Sequence, residues 1–69
     1  MLENDMKHLE FVVYCIETYK TRKDANGKSV FNMLNEKGAI QYIDDNYDAL
    51  HTDGDDEIIW NIEEYLRSN

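Results

Sequence analysis

Apolar residues recur along this chain in steps of three and four, and nothing alternates at period two for long enough to make a good strand. There is no proline to break a helix. Four helical segments follow. The first is predicted over 4–22, where Leu9, Val12, Val13, Ile16 and Tyr19 fall on one stripe, widened by Phe11 and Cys15. Lys7, Glu10, Glu17 and Thr21 mark its wet side. So wide a stripe predicts a central helix that touches two or more others. Asn4 or Asp5 is the expected cap, and Lys20, Arg22 and Lys23 complement the negative end of the helix dipole.

Asn26 is the expected N-cap of the second segment, 28–37, whose buried side is read as Val30, Phe31, Met33 and Leu34. Gly38 then sits where a left-handed residue ends a helix. The third segment, 39–50, places Ile40, Ile43, Tyr47 and Leu50 on one face, with Tyr42 and Asp44 beside it. Its last part, 46–51, is open to tightening or breaking, because Asn and Asp compete for backbone hydrogen bonds. The fourth, 53–67, has Thr52-Asp53-Gly54-Asp55 as a loose capping box, followed by a stripe of Ile58, Ile59, Ile62, Tyr65 and Leu66. Ser68-Asn69 is expected to fray. The expected fold is all-α: one domain over 1–69, a compact bundle of four short helices.

Composition narrows this further. Sixty-nine residues allow one small core, and stability is expected to be marginal. Cys15 is the only cysteine, so no disulfide supports the chain. The acidic start carries none of the positive charge of a secretory signal, and the longest apolar run, 11–16, is far short of a membrane span. A cytoplasmic protein with no membrane contact is expected.

Charge is the sharpest feature. The net charge is −8, and from Gly38 to Leu66 there are nine acids and no lysine or arginine. Such a surface repels phosphate backbones and attracts cations, so direct nucleic-acid binding is the least expected function. Seven carboxylates lie between Asp44 and Glu57. Counting back from Gly54 for a calcium loop lands on Ala49, which cannot ligate, so no metal or other cofactor is expected. Helix capping plus a solvated face accounts for most of the cluster; a protein-docking face is the functional alternative.

The remaining chemistry is sparse. His51 is read first as a helix-junction residue bonded to a loop carbonyl or packed on a neighbour, and otherwise as a base. Nothing places His8 beside it. Cys15 could be a nucleophile with His51, but a thiol inside 11–16 of an acidic chain is read as a small buried hydrophobe. Tyr14 and Trp60 fall off the buried stripes, where an aromatic either anchors an interface or covers the core edge. The basic group Lys20, Arg22, Lys23 and Lys28 is the one positive patch, and could meet nucleic acid or the acidic half of another copy.

The ordered string Leu9-Glu10-Phe11-Val12-Val13-Tyr14-Cys15-Ile16-Glu17, Gly27-Lys28 with Val30, Gly38, Tyr42-Ile43, Tyr47, Leu50-His51-Thr52, Gly54, Asn61-Ile62 and Tyr65-Leu66 resembles a family of very small bacterial proteins, catalogued as domain of unknown function three-seven-nine-one. Leu50-His51-Thr52-x-Gly54 is its most specific part. Ser29 and Asn61 stand where that family often carries an acid. The resemblance implies an all-helical cytoplasmic protein of no known activity. It also implies genes set beside an ADP-ribosyltransferase-like family, an arrangement seen in toxin–antitoxin pairs.

The sequence therefore predicts a non-enzymatic interaction module, antitoxin-like in its pairing with a neighbouring gene product. Its expected contacts with another, basic protein are Asp44, Asp48, Asp55, Asp56 and Trp60; Gly38, His51, Thr52 and Gly54 are expected to shape helix junctions. A DNA mimic that occupies a DNA-binding protein is the alternative, and a small enzyme or sensor using His51 and Cys15 is a third reading. A homodimer stays open, although no heptad pattern supports a coiled coil.

Overall fold

The computed structural model describes residues 2–68. It is all-α, with the order α1 (Leu2–Lys23), α2 (Gly27–Glu36), α3 (Ala39–Asp45), α4 (Tyr47–Leu50) and α5 (Asp55–Ser68). The expected bundle is there, with the third segment divided in two at Asn46. There the Asn46 side-chain amide donates to the Tyr42 carbonyl at 2.8 Å, so it competes for an acceptor of the helix. Asn46 itself leaves helical geometry, at φ −109° and ψ 23°.

At about 1.5 Å per residue, α1 alone is roughly 33 Å long. The molecule measures 32 × 21 × 21 Å, so α1 spans it and the other helices pack along it. The core holds Val12, Cys15 and Tyr19 from α1, Val30 and Leu34 from α2, Ala39, Ile43 and Leu50 from α3 and α4, and Ile58, Ile59 and Ile62 from α5. Cys15, Leu34, Ile43 and Ile62 are wholly inaccessible to solvent.

The stripe on α1 is rotated from the expected one. Val12, Cys15 and Tyr19 point inward, while Leu9 is 63% exposed and Val13 50%. Tyr14, Tyr19, Arg22 and Lys23 all bond acids of α5. With α5 seated over these residues, positions 9 and 13 are left facing outward. On α2, Phe31 is 43% exposed rather than buried, and Val30 and Leu34 carry the packing.

The helix ends follow local chemistry. The Asn26 side chain accepts the backbone N–H groups of Lys28 (2.9 Å) and Ser29 (3.2 Å) and caps α2. Gly38 takes φ 81°, and its N–H bonds the Asn35 carbonyl at 3.1 Å, ending α2 in left-handed geometry. Two expected caps do not form. Helix α1 already runs from Leu2, so Asn4 and Asp5 lie inside it. The Thr52 hydroxyl donates to the Ala49 carbonyl at 3.2 Å and closes the preceding turn instead of capping α5. The carbonyl of Gly54 accepts the first bond of α5, from Ile58 N–H at 3.0 Å, which makes Gly54 the N-cap. Ser68 is still helical, and Asn69 lies outside the described residues.

Candidate functional site

Helix α5 buries Ile58, Ile59 and Ile62, so the opposite side of its turn must face water. Trp60 stands there, 59% exposed. Residues three and four apart on a helix are neighbours, and all four such positions around Trp60 are acids: Asp56, Glu57, Glu63 and Glu64. A shallow hollow is lined by Asp56, Glu57 and Trp60.

Three of these acids reach cations of the same chain. Asp56 bonds Arg22 at 2.5 Å, Glu63 bonds Lys23 at 3.1 Å, and Glu64 bonds Arg67 at 2.6 Å. The positive patch at the end of α1 is thus turned onto α5, with Lys20 held by Glu17 at 2.8 Å. The Lys23 ammonium holds the Glu63 carboxyl below its usual range, against a smaller opposing effect of burial. The Asp56 side chain is still 91% exposed, and ion pairs in that setting contribute little and exchange readily. Among the described residues, the Glu57 side chain makes no ion pair.

The other expected contact residues are dispersed. Asp55 accepts the Tyr14 hydroxyl at the start of α5, and that bond raises the Tyr14 pKa. Asp48 is exposed on α4. Asp44 faces α1, where it meets His8 Nδ1 at 2.7 Å. The acids therefore do not form one surface: Asp56 lines the hollow at Trp60, Asp55 one beside Tyr14, and Asp44 one between α1 and α3.

His8 belongs to a cluster the sequence analysis did not find. Its ring stacks on Tyr47 at 4.1 Å between centroids, and Tyr47 stacks in turn on His51 at 4.5 Å. Phe11 meets Tyr47 edge-on at 5.5 Å. The His51 Nδ1–H donates to the Tyr47 carbonyl at 2.8 Å. So His51 is exposed but bonded and stacked at the α4 junction. The missed signal was a spacing: His8, Val12, Cys15 and Tyr19 step by four, three and four along α1, in line with the observed buried stripe.

Cys15 is enclosed in the core, and burial pushes its thiol up to about 12. Neither Cys15 nor His51 lines the hollow at Trp60 or the two beside α1. Among the described residues, no group of three or more His, Cys, Asp or Glu side chains could hold a metal ion. Among the described residues, no helix is long and apolar enough to cross a membrane.

A family model described as a protein of unknown function, DUF3791, matches residues 10–69. No curated protein and no solved structure matches the chain.

Proposed function

The chain belongs to the DUF3791 family, and within that family we propose that it is a protein-interaction module whose α5 outer face docks a basic partner. One observation carries this reading: the single tryptophan stands 59% exposed among four carboxylates. An exposed tryptophan costs solvation and adds nothing to a core. At an interface it is among the side chains that supply most binding energy. Carboxylates around it steer a cationic partner and align its lysines or arginines over the indole face, where a cation is attracted to the ring. The ion pairs to Arg22, Lys23 and Arg67 keep the acids ordered, and solvent exposure leaves them exchangeable.

The partner of this reading is the product of an adjacent gene, in the antitoxin-like manner that the family resemblance implies. The test is co-expression with that product, followed by calorimetry on the purified pair. Trp60→Ala should weaken the complex by tenfold or more, as loss of an anchor does. Asp56→Lys with Glu57→Lys should slow association, most strongly at low salt. If no complex forms, or if it tolerates both changes, the proposal fails.

A further inference from the structure

A second hollow lies between the first half of α1 and α3, open along one side and about 260 Å³ in volume. Leu9, Val12 and Ile40 give it apolar lining. Its polar lining is Asp5, His8, Gln41 and Asp44, with His8 in contact with Asp44. None of these residues lines the hollow at Trp60.

The lining pairs apolar side chains with two carboxylates. A ligand that meets both must offer several carbons and a positive charge. A purely apolar side chain would cover Leu9 but leave both carboxylates facing it, and an anion would be repelled by them and by the net charge of −8. Lysine and arginine carry a methylene stem ending in a cation, and they lie along apolar surface in that way.

We infer that this groove receives a lysine or arginine side chain presented by a partner protein, with the stem over Leu9, Val12 and Ile40 and the cation between Asp5 and Asp44. The inference rests on the reading above that the partner is basic, and it adds a second contact on a different pair of helices. The two contacts together would fix the orientation of the partner, which one exposed tryptophan cannot do. Asp44 holds His8 at 2.7 Å, so its carboxylate is already positioned before the ligand arrives.

The test uses the ¹⁵N-labelled full chain at low salt, titrated separately with N-acetyl-lysine amide, N-acetyl-arginine amide and uncharged N-acetyl-norleucine amide. The cationic probes should shift amides within 5–12 and 40–44, at least threefold more at equal concentration than norleucine does. Asp5→Asn, which leaves the His8–Asp44 contact alone, should cut that response about threefold, and Asp5→Asn with Asp44→Asn should abolish it. Asp56→Asn with Glu57→Gln should leave it unchanged and alter only the Trp60 indole signal. An equal response to norleucine, shifts centred elsewhere, or indifference to Asp5→Asn overturns the inference. So does a probe-free concentration dependence of the same amides, which would give the groove to a second copy of the chain. A lost groove response with an intact indole response sinks this contact alone; the reverse sinks the Trp60 reading and leaves the groove.

Discussion

Tyr65 closes the space over Gly38: a Cβ at Gly38 would stand 2.9 Å from the Tyr65 hydroxyl oxygen. The same glycine holds φ 81°, a geometry that costs an L-residue roughly 1–2 kcal/mol. Tyr65 cannot swing away without disturbing its stack on Tyr42, 4.6 Å between centroids. Gly38→Ala should therefore destabilise by about 2 kcal/mol, which in a domain of this size lowers the melting temperature by roughly 10 °C. Gly54 is the contrasting case. A Cβ there meets nothing within 4 Å, and its φ is not positive. Gly54→Ser should supply the missing N-cap side chain of α5 and raise stability by a few tenths of a kcal/mol. Calorimetric melts of the two variants check both signs; equal losses would refute the distinction.

Asn26→Ala removes the acceptor of two backbone N–H groups at the start of α2. The expected loss is about 1 kcal/mol. Asn32→Ala, at an exposed mid-helix position of the same α2, should fall within about 0.5 kcal/mol of the parent. Urea midpoints compare the two. Similar effects from both would mean that helix propensity, not capping, sets the stability of α2.

Much of this architecture was legible in the chain, for local reasons. Asn26 and Gly38 work through their own neighbours, so composition at those points was enough to place them. The Ile58, Ile59 and Ile62 stripe was unambiguous because acids fill the opposite face of α5. The long-range relationships were not legible. On α1 nearly every position from 9 to 16 is apolar, so periodicity alone could not choose between a stripe through Leu9 and Val13 and one through His8, Val12 and Cys15. The choice was made by Tyr14, Tyr19, Arg22 and Lys23 reaching α5, and those pairs span 34 to 44 residues of sequence. For the same reason the acids read as one surface in sequence, yet Asp44 and Asp56 line separate hollows.

Tyr47 joins α1 to the α4 turn through His8 on one face and His51 on the other. Tyr47→Leu keeps apolar bulk but loses the ring pairing, and should cost about 1–2 kcal/mol. A double-mutant cycle with His8→Leu should then show a coupling of at least about 0.5 kcal/mol, because the two rings are in contact. Strictly additive losses in chemical denaturation would show that the stack contributes no specific energy.

Cys15 sets an alkaline limit. Its thiol, pushed up to about 12 by burial, stays protonated in the folded chain over a range where the unfolded chain, at its ordinary value of 9.0, ionises. The folded pKa is the higher one, so the contribution is complete below pH 9 and is lost as pH rises from there towards 12. Tyr19 and Tyr42, also raised first by burial, act in the same direction. Stability should therefore fall above pH 9, and Cys15→Ala should flatten the first part of that fall. In parallel, the native thiol should resist iodoacetamide at pH 8 and react once urea unfolds the chain. Rapid labelling of the native state would contradict the enclosed position of Cys15.

Trp60 reports on the field that the proposed docking requires. Four carboxylates lie one helical turn from it, yet Arg22, Lys23 and Arg67 each hold one of them. Whether the indole sits in a negative field is therefore decided by how far solvent-exposed pairs cancel, and exposed pairs cancel incompletely. Collisional quenching measures this directly, because the chain has one tryptophan. Relative to N-acetyl-tryptophan amide, caesium should quench Trp60 more efficiently than iodide at low salt. The difference should vanish near 1 M inert salt, where the screening length falls to about 3 Å. Asp56→Asn with Glu57→Gln should move both quenchers towards the reference. Trp60→Ala, removing an exposed side chain, should change the melting temperature little. Equal quenching by the two ions at low salt would mean that the three cations neutralise this face, and a basic partner would then have no electrostatic reason to choose it.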